Sequence, residues 1–185
     1  MILEEKKIKL KDGTIVTLRS PVKEDAKELL AMMAKGAGET DFLLSTANDF
    51  LKMSVEHEEQ WIEDGLQSDD CTIIGIINDR IISCCSINFL MGHEKTRHRA
   101  AIGITILKDY WNKGLGSALF EELIVIGKAH EGTRQIELGV ISDNKRAYHL
   151  YEKFGFEKTG VQPRALLLKD GTYLDEVMMT LFLDK

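Results

Sequence analysis

The residues best suited to chemistry lie between a strand and a helix. Residues 99–107 (RAAIGITIL) read as a buried strand, and the chain then passes through Asn112-Lys113-Gly114-Leu115-Gly116-Ser117 into an apolar helix. Glycines let the backbone turn tightly and approach a ligand, while the first helical N–H groups point outward at the positive end of the helix dipole. That combination suits a phosphate or diphosphate. A nucleotide P-loop needs Gly-Lys-Ser/Thr, and here the lysine precedes the glycine. A dinucleotide fingerprint needs a third glycine where Leu119 stands, so a nucleotide-dependent oxidoreductase is disfavoured. Without a ligand, the same turn would simply join strand to helix.

A second constellation follows the next strand: Asn144-Lys145-Arg146-Ala147-Tyr148-His149-Leu150-Tyr151-Glu152-Lys153-Phe154-Gly155-Phe156. The two segments, in this order and spacing, resemble the GNAT superfamily of N-acetyltransferases. That family's pattern is a strand, Gln/Arg-x-x-Gly-x-Gly/Ala, a helix, a second strand, and Asn-x-x-Ala…Tyr-x-Lys-x-Gly-Phe. The match spans residues 99–156, and Trp111 stands where the pattern has Gln or Arg.

The resemblance implies a mixed α/β (α+β) fold: a mostly antiparallel sheet of about seven strands, helices on both faces, and a central parallel pair that splays apart. It implies acetyl-CoA as cosubstrate and no metal. Backbone groups of Ile104, Thr105 and Ile106 would pair with the pantetheine arm, and Asn112, Lys113, Gly114, Leu115, Gly116 and Ser117 would hold the diphosphate. Asn144 would either touch the cofactor or only cap its helix. A neutral amine would attack the thioester, with an N–H of Ile104 or Ile106 facing the oxyanion. Tyr151, at the position of the family's tyrosine, would protonate the leaving thiolate. A phenol of pKa about 10 can protonate a thiolate whose acid has pKa about 8.5 where the site provides the drive. Tyr151 also falls on an apolar stripe with Ala147, Leu150 and Phe154, so packing alone would explain it.

The general base is less marked. Relatives that acetylate ribosomal-protein N-termini carry a glutamate where this chain has Gly139, and Glu137 precedes it on the same strand face. Glu137 is therefore the candidate base, directly or through water. Glu39, Asp41 and Glu56 could draw in a cationic acceptor. The acceptor would be an amine of a small molecule or a peptide N-terminus, and the family leaves room for a homodimer. A non-catalytic CoA-binding regulator of the same fold is the alternative that Trp111 and Gly139 suggest.

The elements that position these residues can be read along the chain. Residues 6–19 alternate around Lys11-Asp12-Gly13 as a hairpin, and Ser20-Pro21 opens a helix over 22–34 with Ser20 as its cap. A loop, GAGETDFLLS, precedes a second helix over 47–66. Strands 71–77 and 80–89 turn at Asn78-Asp79, a helix spans 114–130, and a strand covers 134–141. A short helix reaches 154, and 165–168 pairs with 173–183 around Asp170-Gly171. Gly103 in mid-strand predicts a bulge, a close backbone approach or simple packing.

Composition sets the outer bounds. The chain has 185 residues with 24 Lys plus Arg, 30 Asp plus Glu and a formal net charge of −6, the wrong sign for a general nucleic-acid binder. Its length predicts one domain over 1–185. The N-terminus is charged from residue 4, and apolar runs fall short of the roughly 18 residues of a membrane span. Cys71, Cys84 and Cys85 form an odd set, read as buried free thiols of the cytoplasm. His93-Glu94-Lys95-Thr96-Arg97-His98 has one residue too many for a zinc motif, since Arg97 takes the second histidine's place.

Overall fold

Alternating apolar and polar residues build most of one sheet. The computed structural model describes residues 1–183. Its strands are β1 (Lys6–Lys9), β2 (Ile15–Arg19), β3 (Cys71–Ile77), β4 (Arg80–Phe89), β5 (Arg99–Ile106), β6 (Gln135–Ile141), β7 (Glu157–Leu167) and β8 (Tyr173–Phe182). The helices are α1 (Ala26–Gly38), α2 (Ala47–Leu51), α3 (Val55–Gln67), α4 (Leu115–Ala129) and α5 (Lys145–Lys153). The eight strands run in the order β1-β2-β3-β4-β5-β6-β8-β7, one more strand than the resemblance implies. Every neighbouring pair is antiparallel except β5 and β6.

Helices cover both faces. On one face α1 presses so close to β5 that a Cβ on Gly36 would stand 2.7 Å from Thr105 Cγ2. On the other, α4 lays Gly127 against Ile136 and Ile87. Leu115, Leu119, Phe120 and Leu123 of α4 are fully buried there, the helical stripe expected of an amphipathic element.

Three local readings need correction, and one alternative falls away. Ser20 does not cap α1: its Oγ accepts the Leu3 N–H at 2.9 Å. Asp25 organises that entry instead, accepting from Val22 N–H and from Arg19, through a 3₁₀ turn that delays the helix to Ala26. The helix then continues to Gly38. The segment 47–66 breaks in two because Ser54, accepting from His57 N–H at 3.1 Å, restarts the chain as an N-cap. Strand β7 begins at Glu157, well before 165. Register shifts after Lys158 and after Gln162 hide its alternation, and Pro163, with no N–H to donate, sits in the second. Gly103 makes no bulge, since its register with Ser86 is continuous.

Candidate functional site

The parallel pair holds together for only three residues. Arg99, Ala100 and Ala101 of β5 pair with Gln135, Ile136 and Glu137 of β6, and the strands then part. At both ends of β5 the odd-numbered residues bond to the β4 side: Arg99 C=O accepts from Leu90 N–H, and Leu107 N–H donates to Ile82 C=O. Because backbone groups alternate sides along a strand, Ile102, Ile104 and Ile106 turn theirs toward the gap. Thr105 turns its backbone toward β4, so it does not supply the pairing expected of it. Its buried side chain packs under α1 instead.

The gap opens into a cavity of about 550 Å³. Ile104, Thr105, Ile106, Asn112, Gly114, Gly116, Ser117, Asn144 and Tyr151 all line it. Asn112 and Gly114 have φ of 62° and 92°, left-handed values that tilt the turn into the start of α4. Gly114 is the N-cap and offers no side-chain acceptor. The N–H groups of Leu115, Gly116 and Ser117 therefore have no helical partner. Leu115 contributes only its backbone, since its side chain is fully buried. Lys113 leaves the cavity: its ammonium pairs with Asp12 at 3.2 Å, and its carbonyl accepts from Lys11 N–H.

Sequence reasoning missed the cations that do face the cavity. Lys11 arrives from the β1–β2 hairpin, with its stem over Gly114 at 3.4–3.8 Å from an added Cβ. Arg146 arrives from α5 and stacks on the Trp111 ring, 3.4 Å from its centroid. The Trp111 indole N–H in turn donates to Ile106 C=O at 2.7 Å. Burial pushes the Arg146 guanidinium below its ordinary pKa. A chain of net charge −6 thus gathers cationic side chains where an anion would lie. Arg146 stands inside the second motif, which is the signal that could have found it. The Lys11 position depends on a contact about a hundred residues apart.

Tyr151 is buried, stacked on Phe120 with centroids 4.8 Å apart. Burial pushes its phenol up to about 12, opposed by Arg146. Its hydroxyl has no hydrogen-bond partner among the described residues, although the ring lines the cavity. Asn144 caps α5, accepting from Ala147 N–H at 3.2 Å, and also lines the cavity.

Glu137 lies elsewhere. It sits in the last pair before β5 and β6 part, takes two 2.6 Å bonds from Arg99, and accepts from Gln135. The Arg99 hydrogen bonds hold its carboxyl below the usual value, against the effect of partial burial. It does not line the cavity. Glu39 is likewise engaged, accepting from Lys108 N–H at 2.6 Å and pairing with Lys35. Cys71 and Cys85 are buried free thiols and Cys84 is partly buried. No helix among the described residues is long and apolar enough to cross a membrane.

The acetyltransferase (GNAT) family model matches residues 40–156. The L-amino acid N-acetyltransferase AaaT of Escherichia coli is 35% identical over 107 residues, covering 58% of this chain and 65% of that protein. The chain thus spans less than two thirds of the curated relatives it matches. A GNAT-family acetyltransferase from Streptococcus pneumoniae superposes with a TM-score of 0.84 at 31% identity, over 91% of this chain and 99% of that one. A phosphinothricin acetyltransferase from Sinorhizobium meliloti, solved with acetyl-CoA, shares the fold at a TM-score of 0.77 and 18% identity, over 91% and 88%.

Proposed function

Because the chain belongs to the GNAT acetyltransferase family, which matches it over residues 40–156, we propose that it is an acetyl-CoA-dependent N-acetyltransferase acting on a primary amine, with residues 1–185 as one domain. One observation carries this reading. The unpaired edge of β5 and the uncapped start of α4 open into a single cavity, with Lys11 and Arg146 at its wall. An extended amide-bearing arm fits the first, and a diphosphate fits the second. Acetyl-CoA would supply an activated acetyl thioester.

The chain's own groups take the remaining tasks. Ile104 offers N–H and C=O to the arm. An N–H of Ile104 or Ile106 faces the gap, where it can donate to a carbonyl oxygen as negative charge develops. Tyr151 offers a phenol held neutral by burial, so it can give a proton and cannot readily lose one beforehand. Gly114, Leu115, Gly116 and Ser117 bind through backbone, which is why Trp111 can replace the family's Gln or Arg without removing a donor. The stacked Arg146 returns a guanidinium to the same corner.

The test is thiol release from acetyl-CoA over a panel of amines, beside thermal shift with acetyl-CoA and NADH. The reading requires stabilisation by acetyl-CoA and amine-dependent thiol release. Stabilisation with no thiol release for any amine would favour the non-catalytic CoA-binding alternative.

A further inference from the structure

Gly139 on β6 and Glu176 on β8 are neighbours in the sheet, Gly139 pairing with Met178 and Glu176 with Ile141. A Cβ built on Gly139 would clash with Glu176 Oε1, and would stand 2.6 Å from its Cδ and 3.2 Å from its Cγ. The Glu176 side chain therefore lies down across β6, and only a glycine leaves it room.

The place where it lies matters. Pairing of β5 with β6 stops at Ala101–Glu137, and Gly139 is the next β6 residue on that face. Directly across the gap, Gly103 is exposed with nothing within 4 Å of an added Cβ. Glycines thus stand on both sides of the split, on the face opposite α4: Gly103 is bare, and the Glu176 carboxylate lies over Gly139. Other charged groups near it are engaged: Glu137 with Arg99 and Gln135, Asp175 with the Arg164 N–H. The facing β7 residue is Gln162. Glu176 is half-buried, stands like Glu137 outside the lining of the cavity and, among the described residues, makes no side-chain hydrogen bond or ion pair.

We propose that Glu176 is the catalytic residue that receives the acceptor's proton, reaching from β8 to the spot that a side chain on β6 would otherwise fill. This rests on the transferase reading above. Glu176 takes one proton from the acceptor ammonium and passes it to solvent. The nitrogen–carbon bond forms, the carbon–sulfur bond breaks, and the sulfur takes the Tyr151 proton. Water returns the nitrogen's surplus proton to Tyr151. The same carboxylate favours acceptors that arrive as cations.

The experiment follows kcat/KM from pH 6 to 10 for an amine that the wild type acetylates, with acetyl-CoA affinity measured alongside. Glu176→Gln loses about tenfold or more at pH 7, within the range of acid–base contributions. That loss closes as pH passes the acceptor's own pKa, where free amine needs no base. Gly139→Ala displaces the carboxylate and lowers the rate too, and the double variant is no worse than Glu176→Gln. Acetyl-CoA affinity holds in all three. A Glu176→Gln enzyme equal to wild type, or one whose loss is the same at every pH, overturns the assignment while leaving the transferase reading intact. A wild type that acetylates no amine overturns both.

Discussion

The Arg146 guanidinium lies flat over the Trp111 indole, 3.4 Å from its centroid, and the indole N–H is bonded to Ile106. A residue of α5 is thereby fixed to the edge of β5 and to the turn before α4. Such a contact is worth about 0.5–2 kcal/mol depending on desolvation, and it aims a cation at the cavity. Arg146→Ala should weaken acetyl-CoA binding by about tenfold to a hundredfold, the scale of one charge-assisted hydrogen bond. Calorimetry at two salt concentrations checks this, because the variant should also show the weaker salt dependence. Unchanged affinity would remove Arg146 from the site.

Tyr151→Phe should lower kcat by about tenfold or more while acetyl-CoA affinity stays within about twofold, a split that a packing role alone would not give. The phenol also carries a signature in stability. Its folded pKa is raised from 10.0 to about 12 by burial, so its contribution is complete below pH 10 and is lost as pH rises through about 12. Alkaline melts of wild type should therefore fall more steeply across that window than those of Tyr151→Phe. The difference between the two isolates Tyr151 from Cys84 and Cys85, which burial pushes the same way.

Backbone-made parts of the site were legible in the sequence, and parts made by distant side chains were not. Gly114 and Gly116 announce a tight turn into a helix whatever surrounds them, and Asn144 announces a cap. The role of Trp111 depends on Arg146, and the reach of Lys11 depends on the first hairpin docking at residue 113, so neither follows from local spacing. Glu137 illustrates the converse. Its strand face was read correctly, yet Arg99, 38 residues away, holds its carboxylate in an ion pair. For the fold, the bounds of strands β3 to β6 are legible to within a residue or two. The first half of strand β7 is not legible, because shifts around Gly160 and Pro163 break its period-two alternation.

Glu137→Gln should act on stability. Loss of this paired, partly buried carboxylate costs about 1 kcal/mol near neutral pH. Hydrogen bonds from Arg99 depress the Glu137 pKa from its ordinary 4.5. The pair therefore stabilises the fold above that value and ceases to as pH falls through the depressed one. The wild-type advantage in melting temperature should be present at pH 7 and shrink at pH below 4.5. An advantage that persists undiminished into strong acid would contradict the ion-pair account.

The most direct measurement is a crystal structure of the protein with acetyl-CoA. The diphosphate should lie on the N–H groups of Leu115, Gly116 and Ser117, the amide arm along Ile104, and the thioester beside Tyr151. A cofactor bound elsewhere, with the start of α4 bare or closed by packed side chains, would contradict it.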